Sequence, residues 1–334
     1  MKIAVVGGGC VGLTTALIIQ EKLRNAHLDL IAENFEQTTS HVAAGIFRVG
    51  AAYSSPSESI TRKWITDAYS FYEAIVKSRE ASEAGVSRIS GYIFSNSHDN
   101  VKNEWMEGLV PIYRRVNESE MIMFGDNWKY GCFISTLLTQ PNQYLKWAKN
   151  KLIQSGAILI TKPIISLKEL AKDYDLIMNC TGLGAKILCQ DRKMIPIKGQ
   201  VIKVRAPWLR TFSYGEINTY VIPGSDGLTT LGGLRDFESS DLTVCPYQAA
   251  AIRDRCERLV PSLKKAELVA HKTGLRPHRE GGVRVEVEKI NDGSYCSAVV
   301  HNYGHGGYGI CTAPGTSKYA VELAEDALRT SSKL

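Results

Sequence analysis

A glycine triplet spaced Gly7-x-Gly9-x-x-Gly12 lies between the apolar run Lys2–Val6 and the apolar-periodic stretch Leu13–Leu23, and that order leaves the chain few folds. It reads as strand, turn, helix. The first glycine permits a tight turn, the second lets backbone approach a pyrophosphate, and the third lets the helix pack on the strand. Free N–H groups and the dipole at the helix start favour a phosphate there. A second strand, Leu28–Ala32, runs into Glu33, about twenty residues past the last glycine, where a carboxylate accepts from ribose hydroxyls. A glycine-rich surface turn does not explain Glu33. The pattern predicts dinucleotide binding without choosing FAD over NAD. The same glycines interrupt what would otherwise resemble the apolar core of a secretory leader.

The chain has 334 residues, which suits two domains by the prior of roughly 100–200 residues each. Its net charge of +6 is spread along the chain, so neither a nucleic acid nor a membrane partner is expected. No apolar stretch is long enough to span a bilayer. The 8 cysteines include no C-x-x-C pair, and no metal-ligand spacing occurs among cysteines and histidines. We expect reduced, buried thiols and no metal.

Beyond residue 50 the pattern alternates between the two kinds of element. Helices are expected over 57–80, Pro141–Ser155, Tyr247–Val260 and about Thr312–Leu328, the last with Pro314 in its first turn. Strands are expected at Asp175–Asn179, over much of 198–235, and in a hairpin at 283–300 turning near Asn291-Asp292-Gly293. Nucleotide-binding pieces sit at the start, middle and end, with strand-rich pieces between them. The expected fold class is α/β, a Rossmann-like nucleotide-binding domain interleaved with a mixed or antiparallel-sheet substrate domain. The first would take residues 1–50, 150–195 and 275–334, and the second 51–149 and 196–274.

A second glycine cluster, His301-Asn302-Tyr303-Gly304-His305-Gly306-Gly307-Tyr308-Gly309, precedes the last helix. So many glycines at a helix start suggest backbone lying close to a flat ligand. A helix N-terminus there would stabilise negative charge gathering on a reduced flavin. A nicotinamide enzyme has no need for its last helix to return to the cofactor, so the two clusters together favour FAD.

With those residues in view, the chain resembles the D-amino-acid oxidase and D-aspartate oxidase family along nearly its whole length. The resemblance rests on Gly7–Gly12, Val42-Ala43-Ala44-Gly45, Asn179-Cys180-Thr181-Gly182, Lys198-Gly199-Gln200, Tyr220-Val221-Ile222-Pro223-Gly224, Thr230-Leu231-Gly232-Gly233, Gly274-Leu275-Arg276-Pro277 and the His301–Gly309 cluster. It implies noncovalent FAD lying along Thr38, Thr39, Ala44, Gly45 and Gly182 as well as the fingerprint, Glu33, Gly306, Gly307, Tyr308, Gly309 and Cys311. It implies that Arg276 pairs with a substrate α-carboxylate, that Tyr220 bonds the same group, and that the Gly307 carbonyl accepts from the amine. It implies a lid over residues 211–218. A planar guanidinium suits such a carboxylate because it binds bidentately.

The implied chemistry is oxidative deamination of a D-amino acid by dioxygen, without a side-chain base. His278, His301 and His305 are therefore read as structural. Arg235 is expected to hold the side-chain carboxylate of an acidic substrate, because the family members that prefer D-aspartate carry arginine there. Arg48 is the fallback cation, because Ser213 stands where those members place a lid arginine. Two further departures are Cys311, where relatives usually place a hydroxyl, and Asn34, where a basic residue is common. A neutral D-amino-acid oxidase, an NAD(P)-dependent dehydrogenase and a flavin-binding scaffold without turnover remain alternatives. The chain ends Ser332-Lys333-Leu334, the form of address that a peroxisomal import receptor reads.

Overall fold

The computed structural model describes residues 1–50, 53, 56–98, 101–124, 128–292 and 295–331. The terminal Ser332-Lys333-Leu334 and the expected turn residue Gly293 lie outside the described residues. Two sheets organise the chain. The first contains β1 (Lys2–Val6), β2 (His27–Ala32), β6 (Ile158–Thr161), β7 (Leu176–Asn179), β14 (Arg284–Asp292) and β15 (Tyr295–Tyr303), in the order β14-β15-β7-β1-β2-β6. Pairing is parallel from β15 through to β6, and β14 is an antiparallel edge. Buried on both faces, such strands read as continuous apolar runs, as Ile3–Val6 and Leu176–Met178 do.

The second sheet is mixed and larger. Its strands are β3 (Val86–Ser95), β4 (Ile112–Arg115), β5 (Tyr130–Thr139), β8 (Met194–Arg205), β9 (Phe212–Tyr214), β10 (Tyr220–Pro223), β11 (Leu228–Gly232), β12 (Asp236–Phe237) and β13 (Glu267–Arg279). They run β12-β8-β11-β10-β9-β3-β5-β4, with β13 along the length of β8. β13 continues unbroken through residue 275, where the sequence places a domain boundary.

The longer helices are α1 (Cys10–Lys22), α2 (Glu58–Val76), α5 (Pro141–Gln154), α7 (Pro246–Leu259) and α8 (Gly309–Ser331); α3 (Glu104–Glu107), α4 (Glu118–Met123) and α6 (Ala185–Leu188) are single turns. α2 and α5 pack against α8 and α1 respectively. Trp64, Ala68 and Tyr72 of α2, and Tyr144, Ala148 and Leu152 of α5, enter one continuous core with the first sheet. Gly315 of α8 lets the Trp64 carbonyl come close, for a Cβ there would sit 1.8 Å from that oxygen.

Two expectations need correction. The last helix begins at Gly309 rather than Thr312, because the glycine cluster folds as a 3-10 turn, Gly306–Tyr308, that runs straight into it. Pro314 therefore lies inside the helix, not in its first turn. It has no N–H for the Ile310 carbonyl one turn back, and the buried Tyr72 hydroxyl donates to that carbonyl instead, at 2.6 Å. The expected lid over 211–218 is also half strand. Phe212 and Ser213 are buried in β9, which pairs with β10 and β3. Only the turn from Gly215 to Thr219, closed by backbone bonds Gly215 N to Thr219 O and Thr219 N to Glu216 O, stands outside the sheet.

Candidate active site

One cavity of about 1150 Å³ runs from the carboxyl ends of β1, β2 and β7 to the inner face of the second sheet. At its first end the chain leaves β1 at Gly7, whose φ is +128° and whose absent Cβ would lie 2.3 Å from the Cys180 carbonyl. Gly12 is as tightly constrained, since a Cβ there would meet the Gly7 oxygen at 1.9 Å. The fingerprint glycines thus bring β1, β7 and the start of α1 into contact, as the spacing predicts. Glu33, exposed at the end of β2, and Gly9 both line the cavity. Beside Glu33, the Asn34 side chain accepts from the Glu36 and Gln37 N–H groups and so shapes the turn.

The middle of the cavity is lined by Thr38, Thr39, Ala44, Gly45 and Gly182. Thr39 Oγ1 donates to the Leu275 carbonyl at 2.8 Å, and Ser40 Oγ accepts from Cys10 N at 3.0 Å. These bonds tie the 3-10 turn Thr39–Val42 to β13 and to the start of α1. Gly45, with φ +82°, passes so close to the Thr139 carbonyl that a Cβ would lie 1.8 Å away. Gly306, Gly307, Tyr308, Gly309 and Cys311 bring the start of α8 to the same wall. The Cys311 thiol donates to the Tyr308 carbonyl at 3.2 Å, and burial pushes its pKa up to about 12, so it is a protonated thiol. Asn302, fully buried, also lines the wall, and its Oδ1 has no hydrogen-bond partner among the described residues.

Long, glycine-lined and flanked by the starts of α1 and α8, the cavity fits a dinucleotide with a flat end. A dinucleotide would place a ribose within reach of the Glu33 carboxylate at the first end, which an apolar ligand would not use.

At the other end lies the face of the second sheet. Arg276 on β13 lays its guanidinium against Gly199 of β8, where a Cβ would be 2.7 Å from Nη2. Its Nη1 donates to the Leu234 carbonyl at 3.0 Å and the Lys198 carbonyl at 3.3 Å. Burial lowers its pKa, and so does the nearby Arg235 charge, while Tyr220 opposes them. The ring of Tyr220 lies on Gly232 and Gly233, the former leaving only 1.9 Å to the ring for a Cβ. Burial raises the Tyr220 pKa, against the pull of Arg276 and Arg235, so the phenol keeps its proton and donates.

Arg235 and Arg48 line the same end. Arg235 is exposed, and among the described residues it forms no ion pair with Asp236 or Glu238. Arg48 is half-buried, with its guanidinium carbon 4.6 Å from the centre of the Tyr214 ring and its Nε buried without a hydrogen-bond partner among the described residues. Ser213 does not reach the cavity wall, which the next residue, Tyr214, forms instead. Of the two carboxylates on the wall, Glu33 is at the far end. Glu216 accepts from Ser95 Oγ at 2.8 Å and Asn96 N at 2.7 Å.

The three histidines sit in protein networks. His305 bonds Thr316 Oγ1 at 2.9 Å, and burial drops its pKa to about 3, so it is neutral. His301 bridges Asn179 and Glu288 at 3.0 and 2.9 Å. His278 pairs through its backbone with His305. Among the described residues no cluster of three or more His, Cys, Asp or Glu could hold a metal ion, and no helix is long and apolar enough to cross a membrane.

Fold and site together define a two-sheet flavoenzyme. Residues 2–323 match the family of FAD dependent oxidoreductases. The chain is 35% identical to D-aspartate oxidase of Homo sapiens over 98% of this chain and 97% of that protein. It is 31% identical to D-amino-acid oxidase of Streptomyces coelicolor over 97% and 96%. The fold matches glycine oxidase from Bacillus cereus with a TM-score of 0.80 at 17% identity, covering 98% of this chain and 95% of that one. The chain therefore belongs to the FAD dependent oxidoreductase family. It is an oxidoreductase of the D-amino-acid oxidase type, with FAD as its cofactor.

Sequence reasoning put Tyr214 and Glu216 in the lid and Asn302 in the second glycine cluster without a role for any of them, and it left Gly199 without one too. The alternation Phe212, Tyr214 just before Tyr220 was the available signal for the first, since alternate residues of a strand share a face. Nothing in the sequence pairs Gly199 with Arg276, because their meeting depends on β8 lying beside β13.

Proposed function

We propose that this protein oxidises acidic D-amino acids, D-aspartate and D-glutamate, with dioxygen. The amine is oxidised to an imine while dioxygen is reduced to hydrogen peroxide, and one water then hydrolyses the imine to the 2-oxo acid and ammonia. The observation that carries the reading is the charge at the substrate end of the cavity. Among the described residues, the guanidiniums of Arg276, Arg235 and Arg48 line it, while the one carboxylate there, Glu216, is bound by Ser95 and Asn96. Human D-aspartate oxidase, similar over the whole chain, supports the acidic reading. The Streptomyces D-amino-acid oxidase keeps a neutral substrate as the alternative.

FAD, held by the fingerprint glycines, Glu33, Thr38, Thr39, Gly182 and the start of α8, would supply the two-electron redox chemistry between substrate and dioxygen. Arg276 takes the α-carboxylate, and the Tyr220 hydroxyl donates to the same group. The Gly307 carbonyl accepts from the amine. Arg235 offers a second guanidinium to the side-chain carboxylate. The start of α8 stabilises negative charge beside it. Rate then comes from holding the substrate in one orientation, with no side chain taking a proton from carbon.

A peroxide assay of the purified protein on D-aspartate, D-glutamate, D-alanine and D-proline tests the reading. Faster turnover of D-alanine or D-proline than of either acid overturns it. Noncovalent FAD is expected, so acid precipitation should release the flavin into the supernatant. For location, we propose the peroxisome, through Ser332-Lys333-Leu334. A fusion tagged ahead of residue 1 should be punctate, and it should become diffuse when those three residues are deleted.

A further inference from the structure

We propose that His301 is a positioning residue for the cofactor. Its ring sets the orientation of the Asn179 amide, and that amide holds Thr181 and the turn after it at the cavity wall. The role concerns the binding of FAD, so it holds whichever amino acid the enzyme oxidises.

Asn179 ends β7 and is fully buried. Its Nδ2 donates to His301 Nδ1 at 3.0 Å and to Cys189 Sγ at 3.0 Å. Its Oδ1 accepts from Thr181 Oγ1 at 2.7 Å and from Thr181 N at 3.3 Å. An amide offers two N–H donors and an oxygen with two lone pairs, and here each is used. The neighbours suit one orientation of the amide, in which donors face the ring and the oxygen faces Thr181.

The ring fixes that choice because its proton is on the other nitrogen. His301 Nε2 lies 2.9 Å from Glu288 Oε2. An ionised carboxylate only accepts, so Nε2 carries the hydrogen and Nδ1 is left as the acceptor. The relay then runs Glu288, His301, Asn179, Thr181, from an exposed carboxylate on the edge strand β14 to the cavity. Thr181, Gly182, Leu183 and Gly184 all line it. The Thr181 carbonyl accepts from Gly184 N at 3.0 Å and so closes the 3-10 turn Gly182–Gly184. One buried amide therefore decides where this stretch of wall stands.

A second proton on His301 reverses the logic. Nδ1–H would face Nδ2–H, donor against donor. Turning the amide over would suit the ring, but it would point Nδ2 at the Thr181 N–H. Either arrangement leaves a buried donor unpaired, which is costly. The surroundings favour the neutral ring. Burial lowers its pKa, as does Arg284, while Glu288 and Glu286 oppose them. Those three charges stand on β14. Cys189 Sγ is 3.8 Å from Nδ1, and the Tyr303 ring, with Asp191 on its hydroxyl, is 5.7 Å away centre to centre. α8 packs on the other face of β15, through Asn302 and Ser317. The hold on Thr181 is thus complete at neutral pH and is lost as pH falls through a histidine pKa below the ordinary value of about 6.5.

The test is the Kd for FAD, read from flavin fluorescence as the holoenzyme is diluted, at neutral pH and in steps below it. The proteins are the wild type, His301→Asn, His301→Leu, Thr181→Val and the double variant His301→Leu with Thr181→Val. Asparagine keeps an acceptor oxygen as many bonds from Cα as Nδ1 and removes the titrating ring. His301→Leu should raise Kd about tenfold at neutral pH, and His301→Asn should restore most of that loss. The wild-type Kd should climb on acidification more steeply than that of His301→Asn. The double variant should lose less than the product of the two single losses, because both break one link. A wild-type Kd in His301→Leu, even with a lower melting temperature, makes the histidine merely structural and overturns the proposal. So do losses that multiply in the double variant. If His301→Leu does not fold, the comparison of wild type with His301→Asn decides, and identical pH dependence in the two overturns it.

Discussion

Gly199 is the residue whose importance is least visible in its own chemistry. A methyl group there would press on Arg276 at the guanidinium, the far end of a flexible side chain, rather than on backbone. Gly199→Ala should therefore fold with little loss of thermal stability, while the guanidinium is pushed off its position. KM should rise about tenfold or more for D-aspartate and D-alanine alike. Steady-state kinetics beside a melting curve checks this, and an unchanged KM would remove Gly199 from the site. Arg235→Ala has a different signature. A charge-assisted bond to the side-chain carboxylate contributes about 1.5–3 kcal/mol. The ratio of kcat/KM on D-aspartate to that on D-alanine should thus fall by roughly ten- to a hundredfold. Equal losses on both substrates would leave Arg48 as the sole candidate for that carboxylate.

At the scale of the element, α8 shows how a helix presents a ligand-facing start and still tolerates a proline. Pro314 removes the N–H that would bond the Ile310 carbonyl, and Tyr72 of α2 donates in its place. Tyr72→Phe leaves that carbonyl unpaired in the core, at a cost of about 1–3 kcal/mol. The melting temperature should drop by several degrees, and flavin release should become easier, because the start of α8 forms part of the cavity wall. A variant as stable as the parent would mean that the carbonyl finds another donor. The sequence shows Pro314 near the start of an apolar-periodic stretch. It does not show that the helix begins at Gly309 and that the proline is internal.

At the scale of the whole molecule, the two sheets meet around Asp191. Its carboxylate accepts from Arg279 Nε at 2.7 Å and from the Tyr303 hydroxyl at 2.9 Å, joining the end of β13 to the end of β15. Burial works against the charge, but Arg279, Tyr303 and the Lys193 N–H outweigh it and hold the pKa below the ordinary carboxylate range. A carboxyl depressed in the folded state stabilises it fully above its unfolded pKa, about 3.9, and loses that contribution as pH falls through the folded value. Asp191→Asn should cost about 1–3 kcal/mol at neutral pH. The gap to the parent should close as pH drops below the ordinary carboxylate range. Unfolding free energies measured across that pH range check the sign, and a gap that widens on acidification would contradict it.

What the sequence determined by itself is local. The glycine spacing, the strands around it and Glu33 are consequences of backbone geometry within a few dozen residues, so the nucleotide-binding end is legible in the residues alone. Apolar periodicity placed α2, α5 and α7 within a few residues for the same reason. Resemblance carried Arg276 and Tyr220 to the substrate end, and both line the cavity there. The tertiary structure decided which cations share a cavity with Arg276. Arg48, Tyr214, Gly199 and Arg276 come from four separate stretches of chain, and the strand order β13-β8-β11-β10-β9 together with the Ile46–Leu138 bridge brings them to one cavity. A strand's sequence shows which residues share a face, but sheet order and register decide what that face meets, and both are set by packing between segments far apart in the chain.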